Sequence, residues 1–154
     1  MVTCEFIKKR KNIIMIGNPS TGKTHLSIAL GIKACNLGMN VKFYTAANLA
    51  NSLIEAQDNR SLMKLERQLD KSELFIIDEL SYLTFNLHQS ELLFKIISDR
   101  AERQSVIVST NLKFSEWTAM FENKTMVATW VGRLTFMSHV LNNLAPNEPP
   151  VRWE

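Results

Sequence analysis

The sequence predicts an α/β fold: a parallel sheet with helices on both faces. Three observations carry that expectation. Short apolar runs near 12–16, 41–45, 74–77, 105–109 and 137–142 alternate with longer stretches of helical periodicity. A glycine-bounded loop, Gly17 to Thr24, joins the first run to the first helix. The third run ends in two acids, Asp78 and Glu79. Crossovers between parallel strands are right-handed.

The elements follow in order. Asn12-Ile13-Ile14-Met15-Ile16 reads as a buried strand. Gly17-Asn18-Pro19-Ser20-Thr21-Gly22-Lys23-Thr24 then fits the phosphate-loop pattern G-x-x-x-x-G-K-[ST], placed between strand and helix as that loop requires. The two glycines permit turns that other residues resist. Successive backbone N–H groups form a nest for phosphate oxygens, and the helix amino end adds partial positive charge. Lys23 reaches the β- and γ-phosphates, and the Thr24 hydroxyl binds Mg²⁺. The expected nucleotide contacts are Gly17, Asn18, Pro19, Ser20, Thr21, Gly22, Lys23, Thr24 and His25.

Leu26, Leu30, Ala34 and Leu37 give a helix over about 22–37, with Gly38 as its stop. Val41 to Thr45 is a second strand, and residues 46–57 a helix through Leu49, Leu53 and Ile54. Ser61 is placed to cap a helix carrying Leu62, Leu65 and Leu69. The run Leu74-Phe75-Ile76-Ile77 suits a central strand covered on both faces. Acids at its carboxyl end lie where open α/β sheets bind ligands. Asp78 is expected to hold Mg²⁺ through water, and Glu79 to orient the attacking water as general base.

Residues 89–103 form a helix with Leu92, Leu93, Ile96 and Ile97 inward and Lys95, Asp99, Arg100, Glu102 and Arg103 outward. The strand 105–109 runs into Thr110 and Asn111. Asn111 is either a turn residue or a contact to the γ-phosphate or water. A short helix at 114–122 packs Phe114, Trp117 and Phe121 inward. Residues 126–135 form another helix through Met126, Val127, Trp130, Val131 and Leu134. Arg133 lies at the flank of that face. The prolines Pro146, Pro149 and Pro150 make 143–154 an irregular tail.

With 154 residues, 45% hydrophobic and 21% charged, the chain suits one domain spanning 1–154. The net charge of +3 permits nucleic-acid binding without requiring it. The lead-in 1–11 carries Lys8-Lys9-Arg10-Lys11, read as a solvated charge run. Cys4 and Cys35 are too few for a disulfide scaffold, and His25, His88 and His139 are scattered. No stretch reads as a signal peptide or membrane span, so a reducing cytoplasm is the expected compartment.

The segments GNPSTGKTHLSIALG, LFIIDELSYL, LLFKIISDRAERQSVIVSTNLKFSEW and RLTFMSHVL together resemble the IstB-like ATPases. These are helper proteins of insertion-sequence transposition, related to the DnaC helicase loader within the AAA+ class of P-loop NTPases. The resemblance runs from about Phe6 to Leu141. It implies an AAA+ core of five parallel strands in the order 5-1-4-3-2. It makes Gly17 to Thr24 the Walker A loop and Asp78-Glu79 the Walker B pair. It makes Asn111 the sensor of the γ-phosphate and Arg133 the arginine finger given to a neighbouring subunit. It implies ATP and Mg²⁺ as cofactors, slow ATP hydrolysis, double-stranded DNA and a transposase as partners, and an ATP-dependent homo-oligomer.

Family members carry a longer region before the phosphate loop, and an aspartate usually stands where this sequence has Gly132. Two other roles are a loader of a replicative helicase and a nucleotide-binding module without efficient turnover. A small-molecule kinase fits the acid pair poorly. A GTPase lacks its guanine motif, since Asn123-Lys124-Thr125-Met126 has no acid at its end.

Overall fold

The computed structural model of the chain describes residues 4–17, 22–80, 87–111, 116–117, 124–135 and 138–142. Strands β1 (Asn12–Ile16), β2 (Val41–Thr45), β3 (Leu74–Leu80), β4 (Ser105–Thr110) and β5 (Ser138–Asn142) form one sheet in the order β2-β3-β4-β1-β5. Every pairing is parallel. This is the expected order 5-1-4-3-2, read from the other edge. The helices are α1 (Glu5–Lys8), α2 (Lys23–Asn36), α3 (Ala46–Asp58), α4 (Leu62–Asp70), α5 (Leu87–Arg103) and α6 (Lys124–Thr135).

Alternation along the strands divides the core in two. Ile14, Ile16, Phe75, Ile77, Val106 and Val108 pack with Leu49 of α3, Phe94 of α5 and Trp130 of α6. Ile13, Met15, Leu74, Ile76 and Ile107 pack on the other face with Phe6 of α1 and with Leu30 and Ala34 of α2. Because β1, β3 and β4 are covered on both sides, they read as unbroken apolar runs. Edge strand β2 is only partly covered, and Lys42 and Phe43 are exposed. Gly31 lets α2 approach β3 closely, since a Cβ there would stand 2.9 Å from Ile76 Cδ1. Buried Asn12 links three elements: its Nδ2 donates to the Ala101 carbonyl at 3.0 Å, and its Oδ1 accepts the Val106 N–H at 2.9 Å.

The charge run of the lead-in is solvated as expected, with Lys8, Lys9 and Arg10 exposed, while Phe6 and Ile7 of α1 are buried against the sheet beside Cys4. Three expectations are corrected. Arg100, placed outward, is 2% exposed. It donates to the carbonyls of Leu69 and Ser72, at the covered end of α4 where chain carbonyls lack helical donors. Met126 is 44% exposed, since the buried face of α6 runs through Val127, Trp130 and Leu134. Ser61 makes no side-chain cap; its N–H and Oγ–H turn back to the Ala56 carbonyl in α3. Trp117 is buried against Phe94 as expected, while Phe114, Phe121 and the tail lie outside the described residues.

Candidate functional site

β1, β3 and β4 end at the same carboxyl edge of the sheet, and the site is assembled there. Gly17 follows β1 directly, its N–H donating to the Thr110 carbonyl of β4 at 3.1 Å. Gly22 adopts φ +79, a left-handed conformation that a side chain would strain, and α2 starts at the next residue. Gly22 has no side chain to cap the first turn of α2, so the N–H donors there are left to other acceptors or a ligand.

Lys23 opens α2 and is buried, with Nζ donating to the Gly17 carbonyl at 2.6 Å. Burial lowers its pKa, and the negative charge of Asp78 works against that shift. Thr24, one residue on, donates its hydroxyl to the Asp78 carboxylate at 2.9 and 3.1 Å. Asp78 is 3% exposed, and its Oδ1 also accepts the Ser109 hydroxyl.

Glu79 interrupts β3. It adopts φ +58, and the β3–β4 register shifts between Ile77 and Leu80. The result is an exposed carboxylate between two buried residues, Asp78 and Leu80. Two hydroxyls of β4 hold this irregularity. Ser109 Oγ accepts the Glu79 N–H at 3.1 Å, and Thr110 Oγ1 donates to the Leu80 carbonyl at 2.7 Å.

Lys23, Thr24, Asp78, Glu79, Ser109 and Asn111 line one cleft of about 220 Å³. The Thr24 hydroxyl and Asp78 carboxylate form a hard-oxygen donor pair in it, which fits Mg²⁺. Five of the expected site residues therefore meet in one place. Gly17 and Gly22 frame it, whereas His25 is exposed and does not line the cleft. Asn18, Pro19, Ser20 and Thr21 lie outside the described residues.

Arg133 is elsewhere. It sits in the last turn of α6, pairing with Asp99 at 3.1 Å and Glu102 at 3.4 Å in the last turns of α5. Those helix ends feed the amino ends of β5 and β4, across the sheet from the cleft. Ser109 and Thr110 were not singled out from the sequence. Their signal is a hydroxyl pair closing an apolar strand just before Asn111.

Residues 1–145 match the family described as IstB-like ATP binding protein. A protein of Pseudomonas aeruginosa, named for insertion sequence IS21 and ATP binding, is 34% identical over 137 residues, covering 89% of this chain and 52% of that protein. A protein of Geobacillus stearothermophilus named for IS5376 is 33% identical over 142 residues, covering 92% and 57%. The chain thus spans about half the length of these relatives. Among solved structures, DnaI superposes with a TM-score of 0.73 at 16% identity, covering 88% of this chain and 74% of that one. DnaA bound to AMPPCP and single-stranded DNA gives 0.69 at 18%, covering 90% and 44%. These likenesses establish an AAA+ P-loop fold. With the family match over nearly its whole length, the chain belongs to the IstB-like ATP binding proteins.

Proposed function

We propose that the chain binds ATP–Mg²⁺ in this cleft and hydrolyses it as an oligomeric switch on double-stranded DNA, serving a transposase in insertion-sequence transposition. The observation that carries this reading is the meeting of Lys23, Thr24, Asp78, Glu79 and Asn111 around one cleft at the end of α2. The names of its relatives, which pair insertion sequences with ATP binding, support it. No helix among the described residues is long and apolar enough to cross a membrane, and we assign the activity to the cytoplasm.

In this reading the loop from Gly17 to Thr24 cradles the phosphates, with Lys23 compensating their charge. Thr24 and Asp78 would hold Mg²⁺, which when bound neutralises phosphate charge. Glu79, exposed beside buried Asp78, accepts a proton from the attacking water. The water oxygen bonds to the γ-phosphorus, the bond to the β–γ bridging oxygen breaks, and ADP and phosphate leave. Asn111 orients the water or the γ-phosphate from the tip of β4. Arg133 acts on the site of a neighbouring subunit, since in its own chain it lies at the opposite sheet edge.

ATP turnover across a range of protein concentrations, with and without duplex DNA, tests the whole reading. Lys23→Ala weakens nucleotide binding. Glu79→Gln retains binding and stops hydrolysis. If Glu79→Gln turns over like the parent, the chain is a nucleotide-binding module with no catalytic base at that position. Capture by transposase rather than by a replicative helicase separates transposition from helicase loading.

A further inference from the structure

Asp78 and Glu79 of β3 stand opposite a single residue of β4, Ser109. The pairing runs Ile77 with Val108 before them and Leu80 with Thr110 after them. This is a β-bulge, and it decides which way the following side chains face. Along an unbroken strand Glu79 would point to the same side as Phe75 and Ile77, into the core shared with α5. Instead it turns at φ +58 and is exposed, and Leu80 takes the core place beside Ile77. Burial of Leu80 therefore holds the register of the bulge. It does not hold the backbone on either side of the turn.

That hold comes from β4. Ser109 Oγ accepts the N–H entering Glu79, and Thr110 Oγ1 donates to the carbonyl leaving Leu80 at 2.7 Å. Thr110 has further ties. Its own carbonyl accepts the N–H of Gly17, the first residue of the phosphate loop, at 3.1 Å. Asn111, which lines the cleft, is the next residue of the chain. Thr110 is 1% exposed, and its β-branched side chain has few rotamers in which to present the hydroxyl. One buried residue thus joins the ends of β1 and β3 and carries Asn111 on its own backbone.

We propose that Thr110 is a positioning residue for ATP hydrolysis, fixing the Glu79 turn relative to Asn111 and the phosphate loop. The inference rests on the hydrolytic reading of the cleft given above. Thr110 acts through its neighbours and not on the nucleotide. A base must lie within hydrogen-bond reach of the water it deprotonates. A misplacement of about 1 Å costs about a hundredfold in rate. Phosphate binding draws instead on Lys23 and the loop N–H groups. Loss of the Thr110 hydroxyl therefore falls on the chemical step, because the carbonyl that holds Gly17 remains.

The test compares the full chain with Thr110→Val, which keeps the side-chain shape, and Thr110→Ser, which keeps the donor. Steady-state ATP turnover, binding of a fluorescent ATP analogue and the ¹³Cα chemical shift of Glu79 are measured on each. Thr110→Val is expected to lower kcat by about 10–100-fold. Its KM and its affinity for the analogue should stay at the parent's values, which also shows that it is folded. Thr110→Ala, the second variant without a hydroxyl, should behave in the same way. Thr110→Ser should restore kcat. Thr110→Val added to Glu79→Gln should cost nothing further, since no base is left to position. The Glu79 shift reports the left-handed backbone without any turnover, and it should move in the Val variant and not in the Ser variant.

A kcat for Thr110→Val equal to the parent's overturns the proposal and leaves the function of the cleft intact. So does a loss confined to thermal stability, a loss in KM or analogue affinity alone, or a loss of kcat that Thr110→Ser shares. A parent that binds the analogue without hydrolysing ATP overturns the hydrolytic reading and the catalytic consequence drawn from it. A Glu79 shift that still moves in Thr110→Val then supports the hold of Thr110 on the turn, and an unmoved shift overturns that as well.

Discussion

Glu79 holds a left-handed backbone, φ +58, that costs a non-glycine residue about 1–2 kcal/mol. Ser109 offsets that cost by accepting the Glu79 N–H while donating to the carboxylate of Asp78. One hydroxyl therefore positions both acids of the proposed site. Ser109→Ala is expected to lower turnover by about 10–100-fold, the usual effect of removing a partner of a metal-binding carboxylate. The Mg²⁺ concentration needed to bind a fluorescent nucleotide should rise, whereas Ser109→Thr should restore both. A purely structural serine would lower thermal stability in the Ala variant without moving the Mg²⁺ dependence.

This arrangement was half legible beforehand. Lys23, Thr24 and Asp78 follow from a spacing that leaves little freedom, and they meet as that spacing requires. The turn at Glu79 and its support by Ser109 depend on the register between β3 and β4, which no local pattern in either strand encodes.

Among the elements, burial decided what could be read. β1, β3 and β4 are covered on both faces, so their apolar runs stand out from the surroundings. α1 is one turn long, with Phe6 and Ile7 set among charges, and no periodicity can show in four residues. Arg100 was misplaced because its charge outweighed its spacing: seven residues after Leu93, four after Ile96 and three after Ile97, it falls on the apolar side of α5, where α4 and Phe75 of β3 cover it. Its guanidinium donates to Leu69 O at 3.1 Å, to Ser72 O and to Ser72 Oγ at 3.1 Å, and lies 6.0 Å from the Phe75 ring centroid. Burial lowers its pKa to about 10, with the charge of Asp70 partly opposing the shift. It stays protonated at neutral pH and ties α5 to the turn that feeds β3. Arg100→Met keeps the volume but leaves the Ser72 carbonyl without this donor. A loss of about 3 kcal/mol is expected, or roughly 6–12 °C in Tm for a chain of this size. Thermal unfolding measures it, and a change below about 1 °C would show that water replaces the guanidinium.

At the scale of the whole molecule, the question is how two sheet edges act in one reaction. The cleft lies at the carboxyl edge, and Arg133 at the amino edge, roughly 15–20 Å away by the length of a five-residue strand. No rotamer of one side chain spans that distance, so a catalytic role for Arg133 requires a second subunit. Within its own chain the guanidinium is held by Asp99 and Glu102, but all three side chains are more than a third exposed. Such pairs contribute at most about 1 kcal/mol each after solvent screening, so their release is a small barrier to assembly. Gly132 beside it adds local freedom to the helix. Arg133→Ala is therefore expected to bind ATP normally and to lose only the part of the turnover that rises with protein concentration. Asp99→Asn combined with Glu102→Gln should act oppositely, reaching half-maximal turnover at a lower concentration because the arginine is free before subunits meet. Turnover per subunit measured over a hundredfold concentration range reads both effects. A rate that stays flat with concentration, and identical in all three proteins, would confine Arg133 to the α5–α6 ion pairs.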